Sequence, residues 1–199
     1  MATKTSRNEL KVAIVHDWLT NIGGAERVVE SLLKAYPQAD LYSSVYEEAK
    51  LPQFKGRVTT SFLQHWPLSR RKHQLYPVLR TLAFESFDLS DYDLVISSSS
   101  AEAKGVITPT ETLHISYIHT PVRYYWSNYD QYLSDPGFGV LNPLVRLVAP
   151  YFVRRMRRWD YAAAQRPDVL IANSATVAKR IRKYYKREAE VIHPSVDLA

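Results

Sequence analysis

Five short apolar runs bounded by turn or polar residues punctuate the chain: Val12 to Val15, Leu94 to Ser97, Leu113 to Ile118, Val169 to Ala172 and Val191 to Ile192. Their length and their β-branched content predict strands. Between most of them the apolar positions switch to helical spacing. Gly24 to Tyr36 sets Val28, Val29, Leu32, Leu33 and Tyr36 on one face, and Leu75 to Phe84 does the same with Leu75, Val78, Leu79 and Leu82 in spite of Pro77. Ser174 to Tyr185 offers Val177, Ile181 and Tyr184, with the Ser174 hydroxyl placed to accept the free N–H groups of the first turn. Strand alternating with helix predicts an α/β fold, a mostly parallel sheet with helices on both faces and right-handed crossovers. Asp91 to Ser97 and Arg166 to Ser174 share one design: an acidic residue, a buried strand, then small polar residues at the strand's end. Ligands of such sheets sit beyond the carboxyl ends of the strands.

Composition removes several other classes. With 199 residues, 46% of them hydrophobic and 23% charged, the chain can bury one full core, and one large domain is expected. The absence of cysteine removes disulfides, thiolate nucleophiles and sulfur-based zinc sites, and fits a reducing compartment. A cytoplasmic location is therefore expected. Residues 1–10 are polar, lack the apolar stretch of a secretory signal and read as a flexible N-terminus. No run reaches the roughly 18 to 20 apolar residues that span a bilayer.

A net charge of +6 favours anionic partners. The basic residues gather in three clusters: Arg154, Arg155, Arg157 and Arg158; Arg70, Arg71 and Lys72; and Lys179, Arg180, Arg182, Lys183, Lys186 and Arg187. Each reads first as the solvated face of a helix. Phe138 to Val153 is apolar except for Asn142 and Arg146 and runs straight into the four arginines. It reads first as an ordinary helix on the sheet, because Pro143 and Pro150 break its periodicity. The alternative is peripheral contact of Phe138 to Arg158 with an anionic membrane, apolar face in the acyl boundary and arginines on phosphates.

The chemistry-bearing residues cluster at strand ends. The first strand closes on His16 and Asp17, and Gly23 and Gly24 open the first helix, where backbone can approach a phosphate or a sugar hydroxyl closely. The pair lacks the spacing of a dinucleotide fingerprint or a P-loop, and a turn without a ligand explains it equally well. The third strand is followed by His119, Arg123, Tyr124, Tyr125 and Trp126. A neutral His119 imidazole can bond a sugar hydroxyl or stabilise developing positive charge, Arg123 can clamp a phosphate, and the aromatic rings can stack on sugars. A purely structural histidine is the plainer reading. A metal held by His16, Asp17 and His119 lacks fixed ligand spacing, so neither metal nor cofactor is expected. No nucleophile elbow is present, and the serines Ser97 to Ser100 read as a loop without a paired histidine. Charge and tyrosines admit nucleic acid, but no helix-turn-helix, RRM or zinc signature accompanies them, so no nucleic-acid partner is expected.

In order along the chain, Val12 to Asp17, Gly23 to Arg27, Tyr117 to Pro121, Ile171 to Ser174 and Val191 to Asp197 together resemble the N-terminal half of glycosyltransferase family 4. The His-Thr-Pro-x-Arg-Tyr-x-Trp segment is similar to branches described as mannosyltransferases for surface polysaccharides. The resemblance implies a GT-B architecture, two Rossmann-like domains across a cleft, and retaining transfer from a nucleotide sugar to a glycan or lipid-linked acceptor. It implies that residues 11–192 form the acceptor-side domain. It also implies that Gly23 and Gly24 contact donor phosphates or acceptor, that His119 contacts the donor sugar near the reacting carbon, and that Asn173 and Ser174 face the cleft. Arg123 and Tyr124 are added from their chemistry. In the family the donor nucleotide and its E-x7-E carboxylates lie on a further domain. Residues 193–199 are expected to begin the hinge to it, and this chain alone is expected to be incomplete and inactive. Front-side attack, with the donor phosphate helping to deprotonate the acceptor, explains why no carboxylate pair of the retaining-glycosidase kind is needed. Two other readings stay open: a non-catalytic domain of the same fold that binds glycan or anionic lipid, and a basic nucleic-acid-binding module.

Overall fold

In a computed structural model the chain is described at residues 10–67, 69, 76–134, 139 and 142–195. The flexible N-terminus expected over residues 1–10 thus falls outside the described residues except for Leu10, as do Arg70, Arg71, Lys72, Leu75, Phe138 and residues 196–199.

Seven strands form one sheet: β1 (Val12–His16), β2 (Asp40–Ser43), β3 (Val58–Thr60), β4 (Leu94–Ser99), β5 (Leu113–Ile118), β6 (Val169–Ala172) and β7 (Glu190–Val191). Their order is β3-β2-β1-β4-β5-β6-β7, and every neighbouring pair is parallel. Five helices connect them: α1 (Gly24–Ala35), α2 (Pro77–Glu85), α3 (Tyr129–Ser134), α4 (Asn142–Ala163) and α5 (Ala175–Tyr185). This is the α/β, Rossmann-like parallel sheet that the alternation of strand and helix predicts.

Parallel strands need cover on both faces, which is why β1 is apolar at four successive positions. Val12 and Ile14 pack with Val29 and Leu33 of α1, while Ala13 and Val15 pack on the other face with Phe84 of α2, Leu89 and Val106. A third cluster joins Ile118, Leu170 and Ala172 to Val177, Ile181 and Tyr185 of α5. The Ser174 hydroxyl accepts the Val177 N–H at 3.3 Å, the expected cap.

Three expectations change. Pro77 starts α2 rather than interrupting it, since a first-turn residue has no intrahelical N–H bond to lose. The inner face of α2 carries Arg80, Thr81, Ala83 and Phe84, whereas Val78 and Leu82 point to solvent. Arg80 is accommodated there because Glu102 lies 2.9 Å from its guanidinium. Ser97, Ser98 and Ser99 are strand, not loop, and Ser100 alone of the four lies beyond β4. The β4–β5 register sets Ser97 opposite Ser116, and Ser97 donates to Ser116 at 2.8 Å while its Oγ lies 2.9 Å from Nε2 of the buried His114. His114 Nδ1 is buried without a hydrogen bond among the described residues, and burial pushes the ring down to about 4.

Helix α4 divides in two. Its second half is core, with Val153, Met156, Asp160 and Ala163 buried. There Lys104 Nζ lies 2.6 Å from Asp160, whose other oxygen accepts from Trp126 at 2.6 Å and Tyr185 at 2.9 Å. Its first half leaves Leu144, Leu147, Val148 and Tyr151 exposed.

Candidate functional site

The chain builds the sheet outward in one direction from β1 to β3, then crosses back to β4 and runs the other way. Connections that leave in opposite directions open a crevice beyond the carboxyl ends of the strands. His16 ends β1 opposite Ser98 of β4, and β5 sets Tyr117 beside the same serine, so His119 follows at that level. The His119 N–H donates to the Ser99 carbonyl at 2.9 Å, which fixes the turn.

A hydrogen-bonded chain links the two histidines. Nδ1 of His16 lies 3.1 Å from the Ser98 carbonyl oxygen and 3.2 Å from its Oγ. A carbonyl can only accept, so this nitrogen carries a proton. The Ser98 hydroxyl is then free to donate to Nε2 of His119 at 2.8 Å. That bond leaves the N–H of His119 on Nδ1. Burial pushes the ring down to about 4, aided by nearby His16 and opposed by Asp17 and Glu26, so at neutral pH His119 is an uncharged imidazole. Its ring meets Tyr117 edge-on with centroids 5.2 Å apart.

On the far side, His16 Nε2 faces Glu26 Oε1 at 3.6 Å. Glu26 is the third residue of α1 and reaches back to the Gly23 N–H in the manner of a capping box. Burial opposes its ionisation, but His16 and the N–H groups of Glu26 and Gly23 outweigh it and hold the carboxyl below its ordinary value. The first turn of α1 is thereby joined through Glu26, His16 and Ser98 to His119. Gly23 and Gly24 form the exposed rim of the crevice. A Cβ at Gly24 would meet nothing within 4 Å, whereas one at Gly23 would sit 2.9 Å from Glu26 Oε2.

Asp17 takes a different place from the one its sequence position suggests. It is buried, and its oxygens accept from the N–H groups of Ser100 at 2.5 Å, Ala101 at 2.9 Å and Ala103 at 2.8 Å. Its acceptor capacity goes to holding the loop after β4. Asn173 closes β6 beside the end of β5, its N–H on the Ile118 carbonyl at 3.3 Å, and its side-chain oxygen accepts from Ser174 at 3.1 Å. His193 returns to the Asn173 carbonyl at 3.1 Å.

Arg123 and Tyr124 are exposed on the other flank, with the Tyr124 ring 4.2 Å from that of Tyr132. They border a cavity of about 560 Å³ between the strand ends, α3 and α4. Among the described residues no group of three His, Asp or Glu is placed to hold a metal ion.

Sequence reading missed Ser98, Arg80, Glu102 and Arg180. Ser98 lies in a run that reads as a loop, and only the parallel register exposes its two histidine partners. It is fully buried and its proton is committed, which argues against a nucleophile. Arg180 leaves its basic cluster to reach Thr120 Oγ1 at 3.3 Å. The cluster at Arg154 to Arg158 also disperses. Arg157 packs over the rings of Trp126 and Tyr129 and donates to the Tyr125 carbonyl, whereas Arg154, Arg155 and Arg158 are exposed. Arg182 pairs with Glu188 at 2.5 Å. Among the described residues no helix is long and apolar enough to cross a membrane.

Two crystal structures of Anabaena HepE, one in complex with UDP-glucose and one with UDP and glucose, resemble this fold with TM-scores of 0.51 and 0.52 at 18% and 17% identity. Each match covers 94% of this chain and 44% or 45% of theirs, so the chain spans less than half the length of those proteins. A curated protein, the lysosomal acid phosphatase of Rattus norvegicus, is 30% identical over 115 residues, 53% of this chain and 26% of that protein. So partial a match carries no family. The sequence profile of Glycosyltransferase Family 4, by contrast, matches residues 22–199. A profile that spans six of the seven strands settles the kinship: the chain belongs to glycosyltransferase family 4.

Proposed function

We propose that the chain is the acceptor-side half of a retaining glycosyltransferase that moves a hexose from a nucleoside-diphosphate sugar to a glycan or lipid-linked acceptor. The donor nucleotide is held mainly by a second domain. The branch that the His119 segment resembles favours mannose as the sugar. The UDP-glucose of one Anabaena neighbour, and the UDP and glucose of the other, keep glucose beside it.

The observation that carries the reading is His119 at the switch-point crevice with its Nε2 2.8 Å from the Ser98 hydroxyl, in a burial that favours the uncharged ring. In the transfer, the bond from the anomeric carbon to the diphosphate oxygen breaks and the diphosphate leaves with the electron pair. The acceptor oxygen bonds that carbon on the same face, and its proton passes to the departing phosphate oxygen. Positive charge develops on the sugar as the bond stretches. An imidazolium beside it would repel that charge, whereas a neutral ring held in one tautomer donates to a sugar hydroxyl without that penalty. At the positive end of α1 the exposed Gly24 supplies its N–H for the donor phosphates, and Gly23, whose own N–H is held by Glu26, contributes the close approach of a backbone without a side chain. Asn173 and Ser174 border the crevice on its β6 side, and Arg123 and Tyr124 on the cavity side.

Two measurements test this. In the two-domain enzyme, His119→Ala should abolish transfer with the fold intact, and unchanged turnover would remove His119 from the mechanism. The 199-residue chain titrated calorimetrically with UDP-glucose, GDP-mannose, UDP and GDP should show no binding tighter than about millimolar, near −4 kcal/mol. Micromolar binding of any nucleotide would overturn the division of labour between the halves.

A cytoplasmic enzyme working at the inner face of an anionic membrane is the setting the outer face of α4 supports. Leu144, Leu147, Val148 and Tyr151 are exposed, and the exposed Arg154, Arg155 and Arg158 continue the same stripe. Changing those three arginines to glutamine should weaken sedimentation with phosphatidylglycerol vesicles. Arg157 is left in place because it packs inward. Unchanged sedimentation would end the membrane reading.

A further inference from the structure

We infer that the cavity of about 560 Å³ beside the strand ends binds the hydrocarbon chain of a lipid-linked acceptor and delivers its polar end to His119. The inference rests on the glycosyl-transfer reading and names the acceptor class that reading leaves between glycan and lipid.

The lining chooses between them. Trp18, Val122, Tyr125, Phe152 and Val153 present apolar surface, while Ser100, Thr120 and Arg123 supply polar groups. The guanidinium of Arg80 also borders the space, but it is buried, paired with Glu102 at 2.9 Å and stacked 5.3 Å over Trp18, so it is already neutralised. A sugar chain drawn into such a space would bury many hydroxyls against few partners, each at a desolvation cost. A hydrocarbon chain has no such groups, and aromatic walls give it large contact area. Thr120 directly follows His119, and Ser100 stands two residues beyond Ser98, so the polar end of the occupant would lie at the crevice.

Helix α4 supplies the second observation. Val145, Ala149, Phe152 and Val153 line the cavity. On the opposite face Leu144, Leu147, Val148 and Tyr151 are exposed at helical spacing, with Arg154, Arg155 and Arg158 continuing the stripe. At 3.6 residues per turn these seven positions fall within about a third of the helix circumference. One helix thus has an apolar cavity behind it and an apolar, basic stripe in front. A molecule whose chain lies in an anionic bilayer and whose head must reach a soluble active site meets both.

The test uses butyl, octyl and dodecyl β-glucosides below their micellar concentrations, with binding to the 199-residue chain read by calorimetry. Affinity should rise about fourfold for each methylene that becomes buried. Ala149→Trp, which fills the cavity, should erase that dependence, while Leu147→Ser on the outer stripe should retain it. Equal affinity along the series, or a dependence undiminished in Ala149→Trp of native circular dichroism, overturns the inference. Should Ala149→Trp fail to fold, a dodecyl chain carrying a terminal diazirine decides on the unaltered protein. Adducts on Val145, Phe152 or Val153 support the cavity, and adducts confined to Leu144, Leu147 or Tyr151 overturn it. Loss of transfer in His119→Ala is read separately. A flat glucoside series with that loss intact removes the lipid and keeps the transferase, and a steep series with turnover unchanged does the reverse.

Discussion

Replacing His114 by glutamine should flatten the acid limb of the stability curve. The wild-type ring is fully buried, its Nε2 facing Ser97 Oγ at 2.9 Å and its Nδ1 without a hydrogen bond among the described residues. Burial, the largest influence, lowers its pKa from 6.5 to about 4, outweighing the pull of Asp168. The folded state therefore resists protonation while the unfolded chain accepts it. Stability is complete above the unfolded pKa and is lost as pH falls through the window from 6.5 to about 4. Each extra proton bound by the unfolded state contributes about 1.4 kcal/mol per pH unit, so His114 alone removes about 3 kcal/mol by pH 4. That is a large part of the ~5–15 kcal/mol by which domains are stable. Urea unfolding followed by far-UV circular dichroism at a series of pH values measures it. The His114→Gln chain, which keeps a donor for Ser97, should gain on the wild type by that amount between pH 7 and 4. A difference constant across the range would refute the reasoning, as would a His114 ring seen by NMR to titrate near its ordinary value.

Ser98→Ala removes the proton that fixes the His119 tautomer, so transfer by the two-domain enzyme should fall about tenfold to a hundredfold, with a changed pH profile. Equal rates and profile would deny the serine its positioning role. Gly24→Ala adds a methyl that meets no atom within 4 Å, so unfolding should become harder by up to ~1 kcal/mol while the KM for the nucleotide sugar rises. An unchanged KM would reject close approach of ligand to that rim. Lys104→Met strands the buried Asp160 carboxylate, and urea titration should show a loss of about 3–5 kcal/mol. A loss below about 1 kcal/mol would mean that Trp126 and Tyr185 alone satisfy it.

β1, β6 and the first half of β4 were legible because strands covered on both faces are apolar at successive positions, and β5 was legible from Leu113, Ile115, Tyr117 and Ile118 set around His114 and Ser116. By the same logic β2 and β3 were hidden. Asp40 to Ser43 carries one aliphatic residue, Val58 to Thr60 lies at the sheet edge, and pairing with a neighbour, not periodicity, makes them strands. His16 and His119 could be placed at strand ends from their position after apolar runs. The serine between them could not, since only register pairs His16 with Ser98. The inner face of α2 misled for a related reason. Arg80 is a core residue only because Glu102, distant in sequence, meets it in space. Asp17 looked like a ligand because it follows a strand, and proved to be committed to three N–H groups of a distant loop.

That loop has a consequence for how the protein comes into being. Asp17 binds the N–H groups of Ser100, Ala101 and Ala103, and His16 binds Ser98 across a sequence separation of 82. As the chain leaves the ribosome, β1 must wait, its inner edge unpaired, until β4 has been made. Loop closure of that length comes before the contacts that reward it, so the centre of the sheet is a late and slow event. Until then β1 offers an apolar edge to any neighbouring strand, and aggregation of the nascent chain competes with assembly of the crevice.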